Sequence, residues 1–242
     1  MSDQAEALRL QALPAVRDGV RRPRGVVSYA RRGGGARSSS QLWRRCAPRW
    51  WIPDSAATAP DLRVDAWFGR SAPLVVEIGS GVGEATVALA AARPQVNLLA
   101  VEVWLPGVAQ TMQRMEAAGV DNIRLASVDA VSLLGEALPA SSVSEIWTFF
   151  PDPWPKRRHR KRRLVDAAFA RVAATRLVAG GRWRLATDWA DYAEQMVAVL
   201  DAEPMLTGGV SPRWSERPVT RFEARGLEAG HAIVDLSYRR VG

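Results

Sequence analysis

Cysteine, histidine and lysine are scarce in this sequence of 242 residues, which contains one cysteine, two histidines and two lysines. A single thiol, Cys46, cannot form an intrachain disulfide or a site with several thiolate ligands, and it is consistent with a reducing compartment. No His, Cys or acidic residues have the spacing of metal ligands, so we expect no metal. Long apolar runs and an N-terminal signal pattern are also missing, so we expect a cytoplasmic protein with no membrane partner.

The net charge of +8 is concentrated in two segments. Residues 1–51 contain eleven arginines and three acidic residues, whereas residues 156–163 contain seven arginines or lysines and no acidic residue. The rest of the chain is therefore net acidic. Clustered cations bind phosphates by releasing counterions, so this segregation favours a nucleic-acid partner over a surface that is merely basic. Both lysines of the chain, Lys156 and Lys161, fall in the second segment.

The chain divides by composition near residue 60. Residues 1–60 are rich in Arg, Gly, Ser and Pro and have no sustained apolar period, which predicts a basic N-terminal arm that is flexible or becomes ordered on RNA. Residues 61–242 are predicted to form one domain. From residue 72, apolar runs of strand length alternate with alanine-rich helical stretches, as they do in βαβ units.

This alternation predicts an α/β fold with a mostly parallel, doubly wound sheet. Predicted strands cover residues 74–78, 97–102, 122–127, 144–150 and 181–187. Predicted helices cover residues 83–93, 105–118, 130–137, 162–178 and 190–201, and Gly180-Gly181 is expected to cap the fourth helix. After a loop at 204–219, residues 232–239 alternate and predict a late strand in a C-terminal antiparallel edge hairpin.

A glycine-rich turn follows the first predicted strand. The sequence from Glu77 to Glu84 places Gly79, Gly81 and Gly83 where a buried strand turns into a helix, and such glycines let a ligand lie across the backbone. Glu102, about 20 residues further on, is placed to accept hydrogen bonds from both hydroxyls of a ribose. Asp129 follows the third strand, where it would meet an adenine amino group. Three acids at successive strand ends predict a bound nucleoside.

Two details favour S-adenosylmethionine (SAM) over a dinucleotide. The sixth position of the dinucleotide fingerprint requires Gly or Ala and is Glu84 here, and Glu77 puts an anion where it would repel a pyrophosphate. SAM has no phosphate and carries a positive sulfur, which an acidic pocket attracts. We therefore expect a methyltransferase, with a nicotinamide-dependent oxidoreductase as the alternative.

A proline-rich turn at residues 151–155 follows the fourth predicted strand and leads into the second basic segment. Because ligands of open α/β sheets bind at the carboxyl ends of the strands, this turn should lie beside the SAM methyl group. Its three prolines restrict the backbone and thereby hold Asp152 and Trp154. An indole face and a carboxylate beside a methyl donor suit a flipped-out base. Trp154 as a wall of the core, and Asp152 as a cap or turn-stabilising carboxylate, remain alternatives.

The stretch from Phe149 to Arg163 resembles the signature of the TrmB-type tRNA (guanine-N7-)-methyltransferases. Matching stretches keep their order from about residue 72 to 238, namely Glu77 to Gly83, Val101-Glu102-Val103, Pro106-Gly107-Val108, Ala186 to Trp189, Arg217 to Gly226 and Gly230-His231. The resemblance implies the Rossmann-like fold of SAM-dependent methyltransferases. It also implies a tRNA substrate in which the variable-loop guanine at position 46 is methylated at N7.

Carried over residue by residue, the resemblance implies three groups of site residues. SAM would be contacted by Glu77, Gly79, Gly81, Gly83, Glu102, Asp129 and Asp152, and Asp152 is also the family's proposed catalytic carboxylate. The substrate guanosine would be held by Lys156, Asp188, Thr220, Arg221, Phe222 and Glu223. The RNA would contact Arg158, His159, Arg160, Lys161, Arg162 and Arg163. The family often has Lys where this chain has Arg221, a change that keeps the charge but not the geometry.

Two further alternatives remain open from the sequence. A non-catalytic RNA-binding protein with a decayed methyltransferase fold would bind tRNA and transfer nothing. An amino-group methyltransferase is suggested by Asp-Pro-Trp at 152–154, which is similar to the Asp/Asn-Pro-Pro-aromatic motif of those enzymes. His159 and His231 are expected to contact RNA or cap the backbone, not to act as general bases. We expect a monomer or a weak homodimer.

Overall fold

One seven-stranded sheet organises residues 36–242, the part of the chain that the structure, a computed structural model, describes, with side chains described from residue 41. In chain order the elements are α1 (Ala36–Trp50), α2 (Asp54–Ala57), α3 (Val64–Phe68), β1 (Leu74–Ile78), α4 (Glu84–Ala92), β2 (Asn97–Val101), α5 (Leu105–Ala118), β3 (Ile123–Ala126), α6 (Ala130–Ser132), β4 (Val143–Phe149), α7 (Ala167–Arg176), β5 (Leu177–Thr187), α8 (Ala190–Asp201), β6 (Leu206–Ser211), α9 (Arg221–Glu228) and β7 (Val234–Arg240). A π-helical turn (Leu133–Ala137) continues α6, and a 3-10 helix (Arg157–Arg162) follows β4.

The strand order is β3-β2-β1-β4-β5-β7-β6. Strands β1 to β5 run parallel to one another, whereas β7 runs antiparallel to both β5 and β6. The order reverses at β1, from which one half of the sheet leads to β3 and the other to β4 and β5. The predicted doubly wound α/β fold with an antiparallel edge is therefore confirmed.

The core occupies both faces of the sheet. Consecutive residues of a strand point to opposite faces, so Val76 and Leu99 enter one apolar cluster and Val75 and Leu98 enter the other. Helices cover both clusters, which leaves the carboxyl ends of the parallel strands as the open edge where ligands bind. Among the described helices, none is both long and apolar enough to cross a membrane.

The predicted fourth helix, residues 162–178 with its cap at Gly180-Gly181, is wrong at both ends. Helix α7 begins only after Asp166, whose carboxylate accepts a hydrogen bond from the Phe169 amide at 2.8 Å, and it ends at Arg176. The two glycines instead lie inside β5, where the pairing with β4 shifts register and Gly180 has φ of +76°. A positive φ suits a strand bulge as well as a helix cap, so the local pattern could not separate them.

The predicted loop at 204–219 contains an edge strand that the sequence did not reveal. Strand β6 pairs with β7 over six residue pairs. Its Gly208 lies so close to β7 that an added Cβ would be 2.1 Å from the Ser237 carbonyl oxygen. Two adjacent glycines made this stretch resemble a loop, although here they allow close backbone approach. The late strand predicted at 232–239 is confirmed as β7.

The predicted flexible arm differs from the structure over residues 41–60, whereas residues 1–35 lie outside the described residues. Helix α1 packs against α5 and β3, and Trp50, Trp51 and Ile52 are buried. The Ile52 amide donates a hydrogen bond to the Leu125 carbonyl of β3 at 2.9 Å. The exposed arginines of α1 concealed this apolar face in the composition.

We expect Ile52→Ala to destabilise the protein by roughly 2–5 kcal/mol, because it would leave a cavity at a fully buried side chain in the sheet's core. Urea unfolding of the full chain measures the change. Val210→Ala removes two methyl groups from an exposed residue of β6 and should change the unfolding free energy by less than about 0.5 kcal/mol. Equal effects of the two substitutions would contradict the docked position of residues 50–52.

Candidate active site

The turn between β1 and α4 is built for close approach of a ligand. Gly79, Gly81 and Gly83 all have positive φ, of +77°, +57° and +77°, which side chains with a Cβ rarely tolerate. A Cβ added at Gly79 or Gly81 would meet nothing within 4 Å, so these two glycines face open space. A Cβ at Gly83 would instead be 2.5 Å from the Thr111 side chain of α5. The first two glycines therefore serve the ligand side of the turn, and the third serves helix packing.

Glu102, directly after β2, holds this turn in place. Its Oε2 accepts a hydrogen bond from the Gly81 amide at 2.8 Å and its Oε1 accepts one from the Trp104 amide at 2.8 Å. Each oxygen keeps a further acceptor position, as two ribose hydroxyls would require. Burial raises the pKa of Glu102, and the backbone amides only partly offset that effect.

Glu77, in β1 just before the glycine turn, is a buried acid. Burial raises its pKa from 4.5 to about 7, opposed by the hydroxyl of Thr86 and reinforced by the charge of Glu102. Among the described residues, Glu77 Oε2 has no hydrogen-bond partner of standard geometry. A cationic ligand would stabilise the ionised form of this carboxylate, so the residue fits the positive charge of SAM.

Asp129 completes the row of acids at the carboxyl ends of β1, β2 and β3. It is the N-cap of α6, and its Oδ1 accepts a hydrogen bond from the Val131 amide at 2.9 Å. This cap fixes the orientation of the side chain. The three acids thus lie at successive strand ends, as the sequence spacing indicates. The glycine turn lies among them, with Gly79 and Gly81 facing open space.

Asp152 lies in the turn after β4, on the same edge of the sheet. The turn is strained, because the non-glycine residues Phe150 and Trp154 have φ of +52° and +43°, a cost that concentrates at functional sites. Asp152 is accessible to solvent, yet the surrounding protein raises its pKa by desolvation. Its charge also raises the pKa of Glu102, so the two carboxylates are near enough to interact.

Trp154 belongs to the basic segment and not to the core. The Arg162 guanidinium lies 4.9 Å from the centre of its ring, and the His159 ring meets it edge-on at 5.9 Å. Slight burial and the neighbouring cations, foremost Arg162 and Arg158, lower the pKa of His159.

The basic segment divides into exposed and internal cations. Lys156, Arg157, Arg158 and Lys161 are exposed. Arg160 is also exposed, but it forms a salt bridge with Asp191 at 2.9 Å. Arg163, predicted to contact RNA, is only 3 % exposed. Its guanidinium donates to the Pro153 carbonyl, to Gln195 and to Asp191, and so ties the end of the segment to α8. It faces the protein interior in this structure, where a phosphate cannot reach it.

The predicted guanosine motif, Thr220 to Glu223, forms the start of α9. Thr220 is the N-cap, and its Oγ1 accepts a hydrogen bond from the Glu223 amide at 3.2 Å. The Phe222 ring is 57 % exposed and its centre lies 5.3 Å from that of Phe150. This contact places the motif beside the Asp152 turn. The Arg221 side chain does not extend toward the Asp152 turn but forms a salt bridge with Glu84 of α4.

Glu223 is buried in an ion cluster and does not face the open site. Its Oε2 accepts a hydrogen bond from Arg217 at 2.7 Å, and Arg217 also binds both oxygens of Asp235 in β7, at 3.0 and 2.9 Å. Arg213 adds a third cation-to-acid contact, to Glu223 at 3.2 Å. Sequence reasoning missed Arg217 because its partners lie on separate elements, and a buried Arg has no local signature.

Asp188, directly after β5, faces the same helix. Its Oδ2 lies 3.1 Å from His231 Nδ1, and the Cβ position of Gly226 in α9 is 3.4 Å from that oxygen. Glycine at 226 therefore permits α9 to pack on Asp188. Across residues 36–242, no three acidic, histidine or cysteine side chains are grouped as metal ligands would be.

The fold and site together define a methyltransferase of the Rossmann-like type. A family model described as a putative methyltransferase matches residues 71–236. The solved structure of the 16S rRNA methyltransferase KamB has a TM-score of 0.53 at 13 % identity and covers 76 % of this chain and 95 % of its own. At that identity, the likeness concerns the fold alone.

Sequence relatives identify the family within this class. A tRNA (guanine-N(7)-)-methyltransferase of a Nocardioides species is 59 % identical over 223 residues, covering 92 % of this chain and 90 % of the relative. Proteins of the same name from Cutibacterium acnes and Halorhodospira halophila are 46 % and 44 % identical, covering 94 % and 90 % of this chain and 87 % and 96 % of the relatives. The chain belongs to the tRNA (guanine-N7-)-methyltransferase family, which confirms the resemblance and the enzyme class inferred from its motifs.

The raised pKa of Glu77 predicts a pH-dependent stability in the ligand-free protein. Between pH 4.5 and about 7 the folded chain keeps a proton on Glu77 that the unfolded chain has lost, so stability falls as the pH rises through this range. The loss amounts to roughly 3 kcal/mol and levels off above pH 7. Glu77→Gln should remove this contribution, raise the free energy of unfolding at pH 8 and weaken SAM binding. Urea unfolding at pH 5 and 8, with calorimetric SAM titration, measures both effects.

Glu228→Gln, at an exposed acid at the end of α9, is the control and should change neither quantity. A lower free energy of unfolding for Glu77→Gln at pH 8 would show that the buried charge does not destabilise the free protein.

Proposed function

We propose that this enzyme transfers the methyl group of SAM to N7 of a guanine in tRNA, at position 46 of the variable loop, and forms N7-methylguanosine. The observation that carries the proposal is the convergence of three features at one sheet edge: the acidic glycine-turn pocket, the strained turn bearing Asp152, and the exposed cations that follow it. The names of the relatives support the reaction, and the family resemblance supplies the position in the tRNA.

The pocket residues suit SAM in charge and in hydrogen bonding. Glu102 offers two acceptor positions to the ribose, Asp129 an acceptor to the adenine amino group, and Glu77 a negative charge to the cationic methionine portion. When bound, SAM supplies an electrophilic methyl group on a positively charged sulfur. A pyrophosphate would meet the same acids unfavourably, which argues against the oxidoreductase alternative.

The chain's part in the transfer is mainly to position the guanine. N7 of guanine carries a free lone pair and no proton, so the reaction requires no general base, and neither His159 nor His231 needs to act as one. Holding N7 in line with the methyl group supplies most of the available rate enhancement. The exposed Phe222 ring beside Phe150 offers an apolar face on which a base can stack.

Asp152 has the location of an electrostatic stabiliser. The imidazole ring of guanine gains positive charge as the methyl group arrives, and a carboxylate held in a stiff turn stabilises that charge without reorganising. Alternatively, the Asp152 carboxylate accepts a hydrogen bond from N1–H or N2–H of guanine. Asp188, next to His231, is the alternative acceptor for that edge, whereas Glu223 is occupied by Arg217.

The exposed cations supply a phosphate-binding track beside the pocket. Lys156, Arg157, Arg158 and Lys161 extend from the Asp152 turn into solvent. Such contacts position an RNA without reading its sequence. A tRNA substrate agrees with the cytoplasmic location that we propose.

The Asp152 role predicts a large effect of Asp152→Asn on turnover. We expect kcat to fall by roughly 10²-fold, because the neutral amide cannot stabilise the developing charge. The protein is incubated with SAM and an unmodified tRNA transcript, and N7-methylguanine is mapped by borohydride reduction and aniline cleavage. A calorimetric SAM titration of the same variant separates loss of chemistry from loss of cofactor.

Wild-type protein should yield cleavage at the variable-loop guanine and none in a transcript with adenine at position 46. Asp65→Asn, on the exposed surface of α3, is the matched control and should keep normal turnover. The electrostatic role fails if Asp152→Asn turns over at near-normal rate. Absence of cleavage at position 46 with wild-type protein would overturn the proposed function itself.

The division of the basic segment predicts different salt effects for its members. Arg158→Ala with Lys161→Ala should reduce the slope of log affinity for tRNA against log salt by about 1 to 2, because two exposed phosphate contacts are lost. The Tm of this double variant should equal that of wild type. Filter binding between 50 and 200 mM salt measures the slope.

Arg163→Ala is the contrasting variant. It should lower the Tm, because Asp191 and Gln195 lose a buried partner, and leave the salt slope of the remaining folded protein as in wild type. A reduced slope with an unchanged Tm would show that Arg163 contacts the RNA after all.

A further inference from the structure

Glu84 occupies a position that the SAM pocket itself does not explain. It is the first residue of α4, directly after the glycine turn, where dinucleotide-binding chains require Gly or Ala for close packing. Its side chain leaves the pocket and extends toward α9, which is 137 positions further along the chain. The residue therefore connects the cofactor turn with the predicted guanosine motif.

The contact between Glu84 and α9 involves both backbone and side chain. Glu84 Oε2 accepts a hydrogen bond from the Arg221 amide, the first amide of α9, at 2.8 Å, and Oε1 accepts one from Arg221 Nε. Arg114 of α5 approaches Oε1 to 3.6 Å from the other side. One carboxylate thus satisfies an unpaired amide at the start of a helix and two guanidinium groups.

The partial burial of Glu84 makes this contact more than a surface ion pair. Desolvation opposes its ionisation, but the hydrogen bonds from Arg221 and the charges of Arg221 and Arg114 outweigh it, so the pKa lies below its ordinary value. The Glu84 side chain is 21 % exposed, whereas that of Arg221 is 66 % exposed. Because Glu84 is the more buried of the two side chains, we take its carboxylate as the reference point to which the N terminus of α9 is attached.

We propose that Glu84 is a positioning residue that sets the placement of Thr220 to Phe222 over the guanosine site by anchoring the first turn of α9 to the first turn of α4. This inference rests on the proposed function for the role of the motif. In this proposal Arg221 does not contact the guanosine. Its backbone amide and its Nε both donate to Glu84, so its side chain is part of the anchor. Arg221 suits this anchor better than a lysine would, because a lysine has no Nε–H donor partway along its side chain.

The test compares Glu84→Ala with Glu116→Ala in the full chain. Glu116 of α5 makes a matched pair with Arg45, at 2.7 and 2.8 Å, on the surface near α1. We expect Glu84→Ala to raise KM for tRNA roughly tenfold, with SAM affinity within about twofold of wild type, because the anchor acts on guanosine placement and not on the cofactor. Glu116→Ala should leave KM unchanged.

A double-mutant cycle identifies the partner. Arg221→Ala alone should raise KM to a similar extent, and Glu84→Ala with Arg221→Ala should be no worse than the more impaired single variant. Arg221→Lys keeps the charge but loses the Nε donor, and its KM should fall between wild type and Arg221→Ala. Additive single effects, or a KM for Glu84→Ala equal to that of Glu116→Ala, would overturn the proposal. So would a loss of SAM affinity that accounts for the whole effect.

Hydrogen exchange provides a readout that does not depend on activity. The amides of α9 should exchange faster in Glu84→Ala than in wild type or Glu116→Ala, because the helix start loses its anchor. Unchanged exchange across α9 would contradict the anchor. A wild-type enzyme that leaves the position-46 guanine unmodified would refute the proposed function, while the exchange result would still decide whether Glu84 holds α9.

Discussion

Burial of a parallel sheet on both faces is the constraint from which the site follows. Val76 and Leu99 point into one core and Val75 and Leu98 into the other, so helices must cover each face. The carboxyl ends of the parallel strands form the edge where ligands of such sheets bind. Glu77 lies near the end of β1, and the glycine turn, the acids after β2 and β3, and the Asp152 turn after β4 each follow a strand that ends at that edge.

The charges at this edge serve two opposing requirements. Glu77 is buried at a cost to the free protein, and the pocket is complementary to a cationic ligand for the same reason. The C-terminal motif is held by the opposite arrangement, in which Arg217 and Arg213 pair with the carboxylates of Glu223 and Asp235. Removing one member of such a cluster leaves an uncompensated buried charge. The acids of the pocket thus suit a cationic ligand, whereas the buried acids of the C-terminal motif are paired with arginines of the chain itself.

Sequence periodicity located most of the sheet and left its last third uncertain. Strands β1 to β4 lie within a residue or two of the predicted bounds, because buried strands of a parallel sheet are rich in apolar residues. The Gly180-Gly181 bulge and β6 escaped prediction because their glycines serve contacts between strands, which local patterns do not record. The docking of residues 41–60 was concealed for a similar reason, since arginines outnumber the apolar residues that α1 buries.

The sequence by itself determined the chemistry of the site: the glycine turn, the acids at the strand ends, Asp152 in its proline-rich turn and the basic segment after it are local in the chain. The tertiary structure decided which of these groups face a ligand. It turned Arg163 and Glu223 inward and paired Arg221 with Glu84, whereas Phe222 stayed exposed beside Phe150. Such choices depend on partners that are distant in sequence, because burial and ion pairing are properties of the packed chain.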